Sequence, residues 1–350
     1  MASAPLLAPG PAPARVLIVD DSAVARAVLS RMVCEHPRFA LIAAVPNAPA
    51  ALHALATSAV DLIVLDLELP GVTGLAALPD LLAGSGGARV LIVSSSAAEG
   101  AAATIQALAL GAADTLVKPA AGGLAGQFAR DFTDKMTRLA DVEPAAATPA
   151  PVRAALPGSY DIVAIGASTG GIHALGHVLR ALPPSFRTPI LVTQHLPASF
   201  TPYFAAQVAV LGGRPCDVAT DHLRVSPGRI VVAPGDAHLT LTRLPDGGAA
   251  VRLSHDAAAS GCLPSVDPMF ASLAAAYGAR ALAVVLSGMG RDGVRGAAEV
   301  RRTGGAVVVQ DEATSVVWGM PGAIASRGGA DLILPPDEIG RVIAAAGRTR

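Results

Sequence analysis

Tyr160–Gly171 reads YDIVAIGASTGG, a short apolar run that breaks into small residues and then gives way to a helical Ala/Leu pattern. A run that is apolar at consecutive rather than alternate positions predicts a strand covered on both faces, the mark of a parallel sheet flanked by helices. Five more such runs follow, PILVTQH, RIVVAPG, ALAVVLSG, GAVVVQD and ADLILP, with helical segments between most of them. Within this half, HLTLTRLPDGGAAVRLS alternates on both sides of Asp246-Gly247, which predicts a β-hairpin. The expected architecture of residues 159–350 is a doubly wound, mostly parallel α/β domain with a β-hairpin.

Toward the N-terminus the same alternation occurs with RVLIVD, FALIAAV, VDLIVLD, ARVLIVS and ADTLVK, and it ends in a helix near Leu124 to Leu139. Residues 15–140 are therefore expected to form a second α/β domain, a five-stranded parallel sheet of flavodoxin-like type. Between the two, residues 141–158 carry four prolines without periodicity and read as a semi-extended linker. Residues 1–14 are rich in Ala and Pro, with neither a basic start nor a continuous apolar run, and read as a disordered tail rather than a signal.

Composition narrows the function. Across 350 residues, 26 Lys+Arg against 27 Asp+Glu leave a net charge of −1, which argues against a nucleic-acid-coating role. Only 15% of residues are charged and 52% are hydrophobic, yet the long uncharged stretches Phe39–Val60 and Thr188–Gly213 are interrupted by prolines. Neither reads as a membrane-spanning helix. Cys34, Cys216 and Cys262 are widely spaced, form no CxxC pair and show no sequence cluster with His that would suggest zinc. A reducing, cytoplasmic setting fits them.

Two sets of residues fall at strand ends. In the first domain Asp20-Asp21 closes strand one and Asp66 closes strand three, so a parallel sheet sends all three carboxylates to one edge. Three like charges require a cation, and an all-oxygen set suits Mg²⁺ with room for a phosphoryl group. Lys118 and Ser94 close two further strands at that edge. Taken singly, each carboxylate could instead cap the helix that follows it.

In the second domain Gly166-Ala167-Ser168-Thr169-Gly170 fits GxSxG between a strand and a helix, the setting of a nucleophile elbow. A Gly-rich strand-to-helix turn can also cradle a dinucleotide, but that reading wants an acidic residue after the next strand, where Gln194-His195 stands. Asp292 lies on the Gly-rich loop after ALAVVLSG and supplies a third group to orient His195. Thr169, Met289 and Gly290 are the candidate oxyanion and active-site loop. His238, in APGDAHL, is the competing base. Ser168 and Asp292 could each also be a plain helix cap.

Through VDDS, LDLELPG, VSS and VKP the first 140 residues resemble the receiver domain of two-component response regulators. The resemblance implies that Asp66 accepts a phosphoryl group from a histidine kinase, Asp20 and Asp21 help hold Mg²⁺, Lys118 contacts the phosphate and Ser94 follows it. Residues 15–345 resemble the CheB family of chemotaxis response-regulator protein-glutamate methylesterases through GASTGG, QHLP, APGDAHL, PSVDPMF, SGMGRDG and QDEATSVVWGMP. That implies a Ser168-His195-Asp292 triad acting on glutamate methyl esters of chemoreceptor helices, also a glutamine deamidase, with no cofactor for the esterase step. It further implies a cytoplasmic monomer that meets the membrane only through receptors. Four positions depart from the family: Thr115 and Thr73 in the receiver, Leu263 and Trp318 in the second domain. The rival readings are a phospho-switched receptor-binding module without turnover and a nucleotide-binding output domain.

Overall fold

Strands that are apolar at every position need cover on both sides, and the strands of this chain are buried end to end. A computed structural model describes residues 12–94, 98–119, 126–141, 156 and 158–347, with backbone alone at 98 and 99. Most of the tail (1–14) and of the linker (141–158) expected from sequence lies outside the described residues. By internal packing the described residues fall into two compact units, one from within 1–96 and 115–141, the other from within 97–114 and 142–350.

The first sheet contains β1 (Ala14–Val19), β2 (Phe39–Val45), β3 (Leu62–Leu65), β4 (Arg89–Ser94) and β5 (Asp114–Val117), in the order β2-β1-β3-β4-β5. The helices between and after them are α1 (Ala23–Glu35), α2 (Ala48–Thr57), α3 (Gly74–Gly84), α4 (Ala98–Leu110) and α5 (Gln127–Ala140). Side-chain oxygens of Ser22, Asn47 and Thr73 accept the backbone N–H three residues on and cap α1, α2 and α3. Chain order reverses at β1, which has β2 on one side and β3 on the other. The C-terminal ends of β1 and β3 therefore border the crevice where such sheets bind ligands.

The second sheet has seven parallel strands: β6 (Ile162–Ala167), β7 (Ile190–Gln194), β8 (Cys216–Val218), β9 (Ile230–Val232), β12 (Ala281–Val285), β13 (Ala306–Gln310) and β14 (Leu332–Leu334). Its order is β14-β13-β12-β6-β7-β9-β8. The predicted hairpin forms from β10 (His238–Arg243) and β11 (Ala249–Ser254), in antiparallel register with Leu241 opposite Val251. β8 is absent from the sequence reading because three half-exposed residues on an edge carry no periodicity. Helices α6 (Gly171–Arg180), α7 (Thr201–Gly212), α8 (Val266–Tyr277), α9 (Val294–Arg302), α10 (Met320–Ala325) and α11 (Pro336–Ala346) complete the unit.

Val266, Met269, Phe270 and Leu273 of α8 are fully buried in one core with Leu239, Leu241 and Val251 of the hairpin and Ala283 and Val285 of β12. Burying each such large apolar side chain is worth about 1.5–3 kcal/mol, so the start of α8 is held firmly against the end of β12. Order reverses between β6 and β12. That switch point is where Ser168 and Asp292 emerge. Among the described residues no helix is long and apolar enough to cross a membrane.

Candidate active site

In the first unit Asp20 and Asp66 are buried and Asp21 is exposed, with one carboxylate oxygen from each lying within 4.8 Å of the others. Lys118 Nζ stands 2.8 Å from Asp20 Oδ2 and 2.6 Å from Asp66 Oδ2. Burial raises the pKa of Asp66 and outweighs the opposing Lys118 hydrogen bond. Burial also works to lower that of Lys118, but hydrogen bonds to Asp20 and Asp66 leave it raised. Ser94 is buried at the end of β4, and its carbonyl accepts the Lys118 N–H at 2.8 Å. All five residues singled out by sequence thus gather at one sheet edge.

Arg26, which the sequence reading did not pick out, donates from Nη1 to the carbonyls of Asp20 (2.7 Å) and Asp21 (2.8 Å) and braces the acidic turn. Thr73, where the family pattern differs, is the α3 cap. Next to it a Cβ on Gly74 would sit 2.1 Å from the carbonyl oxygen of Asp66, so glycine lets α3 begin directly against the acidic strand end.

In the second unit Ala167 pairs with Gln194 across β6 and β7, which makes Ser168 and His195 the next residues on neighbouring strands. The His195 N–H donates to Ala167 O at 3.1 Å, and the Ser168 N–H donates to Ser287 O, just beyond β12, at 3.0 Å. The turn after Ser168 requires glycine: Gly170 has φ +74°, and a Cβ there would lie 2.5 Å from Val316 Cβ. Thr169 is held through its carbonyl, which accepts from Ser287 Oγ at 2.8 Å. Gly288 is as constrained, since a Cβ on it would approach Met320 Sδ to 2.5 Å and Ser168 Cβ to 3.0 Å. Met289 and Gly290 line a cleft of about 390 Å³ together with Cys262 and Asp292.

His195 Nε2 is 2.8 Å from Asp292 Oδ2. Asp292 is almost completely buried and satisfies its charge through many donors. Oδ2 also accepts the Val266 N–H at 2.7 Å, while Oδ1 accepts Ser265 Oγ at 2.7 Å and the N–H groups of Gly293 (3.0 Å) and Asp267 (3.3 Å). Burial opposes its ionisation, yet the bonds from His195 and the Val266 N–H hold its carboxyl below the usual carboxylate range. For His195 burial works downward, but hydrogen bonds with Asp292 and Cys262 prevail and push its pKa up to about 9. Among the described residues no hydrogen bond joins Ser168 Oγ to His195.

His238, the rival base, is buried with both ring nitrogens engaged: Nδ1 accepts the Ser265 N–H at 2.9 Å and Nε2 bonds Asp256 O at 2.9 Å. It braces the residue that braces Asp292 and has no nitrogen to spare for proton transfer. Three further residues were given no role in the site by the sequence reading. Ser265 lies in the PSVD stretch, which carried a signal only as a family motif. Gln194 donates to Ser168 O at 2.9 Å. Ser287 ties the Ser168 turn to the 310–318 loop, where its Oγ receives the Val317 N–H at 3.1 Å. The departure at Trp318 is accommodated by Nε1 donating to Gln310 O at 3.0 Å, and Leu263 is half-exposed.

Cys262 has neighbours in the fold that its spacing in the sequence does not show. Remote from any histidine in sequence, it comes together in the fold with His195 and Asp292, their ligand atoms all within 4.8 Å of one another. Tertiary folding across β7, the 255–265 loop and the end of β12 makes that cluster, and no linear spacing encodes it.

Two parallel α/β sheets, one with carboxylates and a lysine at its switch point and the other with a histidine paired to a buried aspartate, define a response regulator joined to an enzymatic domain. Comparison with known proteins agrees on both parts. Residues 163–343 match the CheB methylesterase family and residues 16–124 the response regulator receiver domain. The chain is 40% identical over 348 residues to protein-glutamate methylesterase/protein-glutamine glutaminase 2 of Caulobacter vibrioides, covering 96% of this chain and 99% of that protein. It is also 40% identical over 336 residues to the Pseudomonas aeruginosa protein of the same description, covering 93% and 95%. The crystal structure of the Thermotoga maritima CheB methylesterase catalytic domain matches with a TM-score of 0.52 at 36% identity, covering 53% of this chain and 98% of that one. The chain belongs to the CheB methylesterase family.

Proposed function

We infer that this protein hydrolyses methyl esters of glutamate side chains on chemoreceptors, and deamidates glutamine there, under control of receiver phosphorylation. The observation that carries the esterase chemistry is the His195–Asp292 pair at 2.8 Å beside the Ser168 turn. With Nε2 taken by Asp292, Nδ1 is the nitrogen that exchanges a proton with Ser168. Ser168 Oγ attacks the ester carbonyl as His195 takes its proton, and the tetrahedral intermediate then collapses as His195 returns the proton to departing methanol. Water attacks the acyl-enzyme by the same relay and releases glutamate. Glutamine follows the same path with ammonia leaving, because both substrates pass through one acyl-enzyme. The oxyanion is assigned to the Thr169 and Met289-Gly290 segments, which flank Ser168.

In the receiver, Asp66 is the phosphoryl acceptor, its carboxylate attacking phosphorus of a phosphohistidine on a histidine kinase as the P–N bond breaks and the imidazole leaves. The donor set of Asp20, Asp21 and Asp66 fits Mg²⁺: oxygens only, gathered within 4.8 Å, and partly open to solvent. When bound, the ion supplies positive charge that screens the carboxylates from the incoming phosphate. Lys118, already 2.6 Å from Asp66 Oδ2, neutralises the same edge and would turn to the phosphoryl oxygens, with Ser94 Oγ as a further contact. Adding about two negative charges at one strand end biases the fold's conformational equilibrium and so the output. The cytoplasm, where receptor helices and kinase reside, is the proposed location.

The test is methanol release from methylated receptor fragments by wild type and Ser168→Ala, each with and without a small phosphodonor and Mg²⁺. Release that depends on Ser168 and rises with phosphodonor is expected. No release from wild type under any condition would overturn the enzymatic reading.

A further inference from the structure

The side-chain cluster at the active site contains one member that hydrolysis does not use, Cys262. Its Sγ, a nitrogen of His195 and an oxygen of Asp292 all lie within 4.8 Å of one another, drawn from three separate stretches of chain. Imidazole, thiolate and carboxylate are the three ligand types that bind zinc, and three protein ligands with a fourth position left to water is the pattern of an open zinc site. Ligand spacing in a tetrahedral site is roughly 3.3–3.8 Å from metal–ligand bonds of about 2.0–2.3 Å, so small side-chain adjustments suffice. Outer contacts are in place as well. Asp292 is anchored by Ser265 Oγ at 2.7 Å and the Gly293 N–H at 3.0 Å on Oδ1 and by the Val266 N–H at 2.7 Å on Oδ2, so a metal that replaces the His195 Nε2 bond to Oδ2 meets a carboxylate already oriented. An entry path exists, because the cleft of about 390 Å³ lined by Met289, Gly290 and Arg291 opens on both Cys262 and Asp292.

We propose that His195, Cys262 and Asp292 form a binding site for Zn²⁺ or a similar thiophilic divalent ion, and that occupancy shuts off ester hydrolysis. On binding, the Cys262 thiol loses its proton to solvent as the sulfur–metal bond forms, and the His195 lone pair is committed to the metal. The imidazole can then no longer take the Ser168 proton. The inhibitory half rests on the catalytic reading of His195, whereas the binding half does not.

The experiment uses the full-length protein, reduced with a non-chelating phosphine, and zinc chloride alone as the probe. Binding is followed by calorimetry, and by cobalt(II) substitution, in which a sulfur-to-cobalt charge-transfer band reports a thiolate ligand. Methanol release is measured in parallel. Wild type is expected to bind zinc, to show the sulfur band, to lose hydrolysis with occupancy and to recover it with EDTA. Cys262→Ala is expected to bind at least roughly tenfold more weakly, the low end of what even an outer contact costs, and to resist zinc relative to its own zinc-free rate. His177→Ala and Asp66→Asn serve as controls, since the His173–His177 pair, with Nε2 atoms 3.2 Å apart on α6, and the acidic set of Asp20, Asp21 and Asp66 are other places zinc could settle. No binding, or binding that Cys262→Ala leaves unchanged, overturns the site while leaving the esterase reading intact. Binding through Cys262 that does not slow hydrolysis overturns the inhibition and counts against His195 as the base.

Discussion

The two units solve the same placement problem with opposite electrostatics. Each puts its chemistry where strand order reverses in a parallel sheet, beside β1 in one and between β6 and β12 in the other. At the first, carboxylates crowd together and the ammonium of Lys118, at the end of a long side chain, compensates them. At the second, one carboxylate is pinned by Ser265 Oγ, by the N–H groups of Val266, Asp267 and Gly293, and by His195. A site compensated by a long side chain can exchange that charge for a metal ion or adapt to a phosphoryl group. One held by several backbone donors keeps its carboxylate oriented, and that is what fixes the imidazole. The acidic edge is built for changing charge, the Asp292 edge for constant geometry.

Four variants would break or sharpen this contrast. The largest effect is expected from Ser168→Ala, which should lower methanol release by about 10⁶-fold, the scale of losing the serine of a catalytic triad. Single-turnover assays with methylated receptor fragments check it, and retention of activity would remove Ser168 from the chemistry. Asp292→Asn should reduce kcat about 10⁴-fold while preserving the fold, because the amide stabilises the wrong imidazole tautomer. The same variant tests the electrostatics. His195 must be neutral to act as base, and its pKa is raised to about 9, so wild-type hydrolysis should climb with pH through about 9. In Asp292→Asn the limb should fall toward the ordinary histidine value near 6.5, which a pH–rate profile would record.

Lys118→Ala should destabilise the receiver by roughly 3–5 kcal/mol, because it strands Asp20 and Asp66 as uncompensated buried carboxylates. Added Mg²⁺ should restore most of that loss, and thermal melts of the variant with and without the ion check both statements. A variant whose melting ignores Mg²⁺ would contradict the view that the acidic edge tolerates exchange of its cation. The smallest effect is expected from Ser265→Ala, which removes one of several bonds to Asp292 and should slow hydrolysis by about 10- to 100-fold, as outer-contact losses do. Steady-state kinetics would measure it. A loss as large as that of Asp292→Asn would mean the carboxylate depends on a single donor, against the redundancy seen here.

Much of the fold and of the site is legible in the sequence, for a definite reason. Parallel strands buried on both faces write themselves as continuous apolar runs, so β1, β3, β6, β7, β12 and β13 were all visible, and chemistry at their C-terminal ends could be located by position alone. That is why Asp20, Asp66, Lys118, Ser168 and His195 could be picked out. Edge strand β8, with three half-exposed residues, left no such trace. His238 and His195 are equivalent as letters in a sequence, and only burial and hydrogen bonding separate them. Ser265 and Cys262 lie in a loop whose path is set by the packing of α8 beneath the hairpin, a contact between segments far apart in the chain.

By itself the sequence determined the two α/β units, the strand ends that carry reactive groups and the family to which the chain belongs, because periodicity and motif are local properties. The tertiary structure alone decided which of those groups meet: Nε2 of His195 on Asp292, His238 turned to bracing, Lys118 between two carboxylates, and Cys262 beside the imidazole. Such pairings depend on distances between remote segments, which packing sets and local sequence does not encode.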